Sequence, residues 1–129
     1  MLEPTQLFLV IVAQEKKLAA EPAKYQALVR ALAKANRFMY ANKARTVEIA
    51  VKYGQIPREV AEQAYDELAK GKVWGQNDGL PREKVEYTIN RMVQVGSIKP
   101  EERPKHEDYA AVSLIEEALK RLPRIPDYD

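Results

Sequence analysis

The stretch Leu7-Phe8-Leu9-Val10-Ile11-Val12 constrains this chain most, because it is the one unbroken apolar run among amphipathic stretches and turns. Such a run lacks the alternation of a half-solvated strand and suits one covered on both faces, as inside a parallel sheet. Glu3-Pro4 just upstream favours an extended entry, since the residue before a proline is pushed out of the α region. No second stretch has this character, and a lone strand leaves its ladder of N–H and C=O groups unpaired. The run therefore predicts one N-terminal strand whose sheet lies elsewhere. Either the chain is the tail end of a larger α/β protein, or the strand pairs with another copy of itself. The start of a buried helix is the alternative reading, because length separates the two poorly for short runs. Pairing with a second copy would complete the ladder and bury both apolar faces. A homo-oligomer joined through Leu7 to Val12 is thus expected, against a monomer in which the first and last helices fold over the run.

With 129 residues the chain is one domain, residues 1–129, and long enough to bury a sizeable core. Charged residues make up 31% and apolar ones 46%, which is too apolar for a disordered chain. The net charge of +2 is carried by both signs interleaved, without the clustered basic face that nucleic acid calls for. Lys16-Lys17, Lys43 to Arg45 and Lys120-Arg121 are separate basic spots, read as solvated surface. Cysteine is absent, which excludes disulfides, thiol catalysis and thiolate-bound metals. Met1-Leu2-Glu3-Pro4 lacks a basic leader, and no run reaches the roughly 18 apolar residues that span a bilayer. Neither an export signal nor a membrane span is expected in the chain as given.

Periodicity places the remaining elements. Gln14 to Glu21 reads as a polar connector, after which Pro22 opens a long helix. Its apolar stripe of Tyr25, Leu28, Val29, Leu32, Ala35 and Met39 is predicted to face inward, with Lys24, Arg30, Lys34 and Arg37 on the other side. Asn42 breaks it, and a shorter helix with Val47, Ala50 and Val51 inward is closed by Gly54. Pro57 opens a third helix with Val60, Ala61, Ala64, Tyr65 and Leu68 inward, ended by Gly71. Val73 to Gly79 is a loop. Pro81 starts a fourth helix with Val85, Ile89, Met92 and Val93 inward, closed by Gly96. Ser97 to Tyr109 reads as an extended connector, and a last helix from about Ala111 to Leu122 turns Ile115, Ala118, Leu119 and Leu122 inward, before an acidic tail.

Nothing in this pattern builds an active site. His106, the only histidine, lies between Lys105 and Glu107 in the connector; the sequence names no partner to orient it, so it reads as a solvated surface residue. Glu48 with Lys52, and Glu59 with Glu62, are helix-face charges at ordinary spacing. Asn77-Asp78-Gly79 is a turn and not a calcium loop, because Leu80, Arg82 and Lys84 stand where further acidic ligands are needed. Trp74 is a ligand platform or a core ring folded back on Tyr65 and Leu68, and packing is the commoner use of such a ring. No catalytic, metal-binding or cofactor-binding residue is assigned.

The order of these segments resembles the C-terminal part of the periplasmic substrate-binding proteins of ABC transporters for nitrate, sulfonates, taurine and thiamine or pyrimidine precursors. The features that carry the resemblance are the run Leu7 to Lys17, then Glu21-Pro22-Ala23-Lys24-Tyr25-Gln26-Ala27-Leu28-Val29-Arg30-Ala31-Leu32, and Tyr53-Gly54-Gln55-Ile56-Pro57-Arg58-Glu59-Val60-Ala61. Val73-Trp74 ahead of Asp78-Gly79, the stretch Pro81 to Val95 with Gly96-Ser97-Ile98, Asp108-Tyr109 and Glu116-Glu117-Ala118-Leu119-Lys120 follow in turn. The likeness covers nearly the whole chain. It implies a partial lobe of the type II periplasmic-binding-protein fold, mostly α with one N-terminal β-strand. It further implies a role in binding a small solute, an ABC permease as partner, and a periplasmic or extracellular location. Most ligand contacts of the family come from parts this chain lacks, so no ligand-binding residue carries over. The related pyrimidine synthases use histidine and a cysteine-rich motif, and the absence of cysteine argues against that enzymatic branch.

Overall fold

Proline and glycine punctuate the helices much as their backbone chemistry requires. In a computed structural model that describes Leu7, residues 10–77 and residues 80–126, α1 spans Glu15–Ala20 and α2 spans Pro22–Ala41. Helices α3 (Lys43–Gly54), α4 (Arg58–Lys70) and α5 (Arg82–Gln94) follow. A single 3-10 turn, Pro100–Glu102, precedes α6 (His106–Tyr109) and α7 (Val112–Leu119). Pro22 sits in the first turn of α2, where its missing N–H forgoes no bond. Pro57 and Pro81 cap α4 and α5 from extended backbone, with ψ of 144° and 136°. Gly96 turns the chain after α5 at φ 76°, a value that glycine adopts without a steric penalty. At the end of α3 the left-handed position falls on Gln55 (φ 52°), one residue past the expected Gly54.

The expected N-terminal strand, and with it the α/β lobe, is overturned: among the described residues every regular element is helical. Phe8, Leu9 and the Glu3-Pro4 entry lie outside the described residues, as do Asp78, Gly79 and the tail from Asp127. Val10, Ile11 and Val12 are 53%, 65% and 84% exposed, and residues 10–13 make no hydrogen bond. The physical reason is that β structure exists only as a ladder, and no second described segment offers one. Leu7 instead donates its N–H to Thr88 Oγ1 on α5 at 3.0 Å.

Two further expectations are corrected. The supposed connector Gln14 to Glu21 folds into α1, since Glu, Lys, Leu and Ala are all strong helix formers, and it packs on α2. More consequentially, α2 does not bury the stripe that periodicity marks. Ala33 is its buried residue, while Leu28, Leu32 and Ala35 are exposed. On α4, Val60 is exposed as well, and so is Met92 on α5.

Helix α2 is the hub, with its most extensive contact to α7 and further contacts to α1 and α3. Ala33 and Ala118 are the buried residues of α2 and α7, small enough to let the two backbones approach closely. The second contact is the α3–α4 hairpin, built on Val47, Ala61 and Tyr65 with Ala50, Val51, Ala69 and Trp74 against them. Trp74 does fold back: its ring centroid lies 5.5 Å from that of Tyr65 and 5.4 Å from that of Tyr40, edge-on to the latter. Tyr65 anchors the hairpin to α2 by donating its hydroxyl to Met39 O at 2.7 Å. The loop after α4 is tied down from the same helix, by Asn36 Nδ2 to Gly75 O (2.7 Å) and Arg37 Nε to Gln76 O (3.0 Å).

This core is small for the chain. Among the described residues the buried apolar set is Ala33, Val47, Ala61, Tyr65, Val85, Ile89, Ala110 and Ala118, and half of these are alanines.

Candidate functional site

The polar cleft best defined by side chains lies between the first turns of α5 and the chain entering α6. It encloses about 240 Å³ and is lined by Arg82, Glu86 and Ile89 from one side and Arg103 to Glu107 from the other. Arg82 reaches both Glu86 Oε1, at 3.2 Å, and Glu107 Oε1 across 25 residues of sequence. Arg103 is fixed on the other flank by two bonds to Asn90 Oδ1, at 3.2 Å from Nε and 2.8 Å from Nη2. Lys105 N–H donates to Asp108 Oδ2 at 2.8 Å, closing the single turn of α6.

His106 sits inside this arrangement, and its expected exposure is wrong: the side chain is only 5% accessible. Its Nε2 lies 3.5 Å from Leu80 O, at the limit of a hydrogen bond, and Nδ1 is buried without a partner, 4.0 Å from Glu107 Oε1. The sequence carried no signal for this, because the groups that bury the ring come from α5 and from Leu80. A ring held this way has no open nitrogen to offer a reactant. Chemically the cleft is a latch: paired charges join α5 to α6. Among the described residues no cluster of three His, Cys, Asp or Glu side chains is placed to hold a metal ion.

The pairing sets the charge state of the latch. Arg82 holds the Glu107 carboxyl below the ordinary glutamate range, chiefly through its hydrogen bond, and the same bond pushes the guanidinium up. Because Glu107 titrates lower in the folded chain than in the unfolded one, the pair contributes stability near neutral pH that is lost as pH falls through the folded value. Both side chains are more than half exposed, so solvent screening keeps that contribution small. In Arg82→Ala the Glu107 carboxyl should titrate back towards the ordinary range, which carbon-detected NMR titration will read directly. An unchanged titration would show that the pair does not form in solution.

The other residues singled out from the sequence are placed plainly. Glu48 pairs with Arg45 at 2.8 Å, and Lys52 lies over the Tyr53 ring at 5.2 Å. Glu62 meets Arg58 at 3.5 Å. Asn77 is buried and serves structure, donating to Ile125 O (2.9 Å) and accepting from Ile125 N–H (2.8 Å). No helix among the described residues is long and apolar enough to cross a membrane. Comparison with protein-family models, with curated proteins and with solved structures returns no match.

Proposed function

We propose that this chain is the helical C-terminal part of the solute-binding component of an ABC importer, for a small solute such as a sulfonate, nitrate or a pyrimidine precursor. It works at the periplasmic or extracellular face with a permease as partner, and holds no solute tightly by itself. The observation that carries this reading is the surface: Leu28, Phe38, Val60, Met92 and Val95 all stand exposed on the helices and the turn after them, as apolar residues that a larger body would cover. The order of the sequence segments names that body. Association with a second copy through Leu7 to Val12 belongs to the same reading, since Val10 to Val12 stand exposed with their backbone unpaired.

Thermal-shift measurement with an alkyl sulfonate, nitrate and an aminopyrimidine tests it. A solute present at a hundredfold excess over its Kd would add about 2.7 kcal/mol, a shift on the order of 10 °C, whereas the chain alone should move by less than about 1 °C. Mixed with a sulfonate-binding protein truncated before its own C-terminal helices, the chain should associate and restore that protein's solute-dependent shift. A large shift in the isolated chain would overturn the incomplete cleft, and failure to restore it in the mixture would overturn the family reading. The exposed apolar face of α2 favours a second reading, a stand-alone helical protein-interaction module. A gene neighbourhood holding a permease and an ATPase separates the two.

A further inference from the structure

His106 is the only histidine in the chain, and its surroundings offer its ring more acceptors than a neutral imidazole can use. Nε2 lies 3.5 Å from Leu80 O, and Nδ1 lies 4.0 Å from Glu107 Oε1. Both of those oxygens accept hydrogen bonds. A neutral imidazole donates from one nitrogen and presents a lone pair at the other, so one buried nitrogen then faces an acceptor with no proton to give it. Nδ1 is in that position, buried without a hydrogen-bond partner. A buried polar atom left this way costs free energy, and a second proton on the ring removes the mismatch by making both nitrogens donors.

The charged groups around the cleft balance one another. Arg82 and Glu86 approach from α5, Arg103 and Lys105 from the chain entering α6, and Glu107 and Asp108 belong to α6 itself, three cations against three carboxylates. Burying an imidazolium is costly unless it is paired, and Glu107 is the carboxylate placed to pair it. Arg82 holds the Glu107 carboxyl below the ordinary glutamate range, chiefly through its hydrogen bond, so that carboxylate is still ionised where a histidine takes up its second proton. Bringing Nδ1 and the carboxylate to hydrogen-bond distance takes a movement of about 1 Å. A carboxylate accepts at about four sites, so Glu107 can receive the ring without releasing Arg82.

We propose that His106 is a proton-operated pin: with both ring nitrogens protonated it bridges Leu80 O and Glu107 and holds α6 against the start of α5, and loss of one proton loosens α6. By linkage, a contact made by the protonated ring is present while the ring is charged and is lost as pH rises through its deprotonation. On the acid side the contact ends where Glu107 takes up a proton of its own. What the pin controls is the seating of α5. Among the described residues α6 is the helix that α5 contacts most, and it runs through the buried Ala110 into α7, which packs on the hub. Raising the pH therefore loosens α5 and leaves the contacts of α3 with α2 and with α4 in place. The pin stands apart from the solute reading and survives its failure.

Two measurements on the full chain test it. With nitrogen-15 in the ring, NMR at about pH 5 should show both N–H groups of His106 exchanging slowly with water, since each is buried against an acceptor. Hydrogen exchange at the Ala110 amide, which donates to His106 O at 3.0 Å, reports on α6. Its protection should fall at least about tenfold between about pH 5 and about pH 8, the worth of one charge-assisted hydrogen bond, while the amides of α3 keep theirs. His106→Phe fills similar space without titrating, and should leave the Ala110 protection level across that range. The wild-type measurements decide even where the phenylalanine variant does not form α6. A ring that stays neutral at about pH 5, ring protons that exchange as fast as those of free imidazole, protection at Ala110 that does not fall, or a fall that persists in His106→Phe would each overturn the inference.

Discussion

Tyr65→Ala should lower the unfolding free energy by about 3–5 kcal/mol, the usual cost of removing a buried aromatic ring. Against a total of about 5–15 kcal/mol for a domain, that is enough to separate the α3–α4 hairpin from α2. Three losses combine in one residue. The ring leaves a hole beside Val47 and Ala61, Trp74 loses its tilted neighbour at 5.5 Å, and Met39 O loses the hydroxyl that reaches it at 2.7 Å. Tyr65→Phe isolates the last of these and should cost about 1–2 kcal/mol, since only the hydrogen bond goes. Trp74 is the one tryptophan, so its fluorescence in a urea titration reports on this cluster. A midpoint unchanged in Tyr65→Ala would mean that the cluster is not what joins the hairpin to the hub.

Asn77→Ala is expected to cost about 1–2 kcal/mol, because it leaves the part-buried N–H and C=O of one residue, Ile125, without their partner. Asn77 clamps that residue with both ends of its amide, donating at 2.9 Å and accepting at 2.8 Å across 48 residues of sequence. The planar amide of asparagine sets a donor and an acceptor side by side on separate atoms, which matches the N–H and C=O of one residue. The consequence is local as well as global. Hydrogen exchange at Ile125 should accelerate well beyond exchange in α3 and α4, which share no bond with it. Equal acceleration in all three places would indicate that the segment after α7 is part of the main cooperative unit.

The two effects fall on different kinds of interaction. Tyr65 ties the α3–α4 hairpin to α2, whereas Asn77 ties the loop after α4 to Ile125.

What the sequence determined by itself is what depends on neighbours in the chain. Pro22, Pro57 and Pro81 mark the starts of helices because a missing N–H is harmless only there, and Gly71 and Gly96 mark ends because the chain must leave the helix. Val47, Ala61, Tyr65 and Trp74 were legible as core for the same reason: residues of matching period on two adjacent helices joined by a short loop can meet only one way. What only the tertiary structure decided is what covers what. An apolar run such as Leu7 to Val12 states a need for cover, yet strand or not depends on a ladder that other chain segments must supply, and none of the described ones does. The stripe on α2 states a face but not its occupant, and α7 and α3 settle on its other side. His106 looks exposed beside two charged neighbours and is buried by Leu80 and α5, because burial is a property of the groups that arrive from elsewhere in the chain.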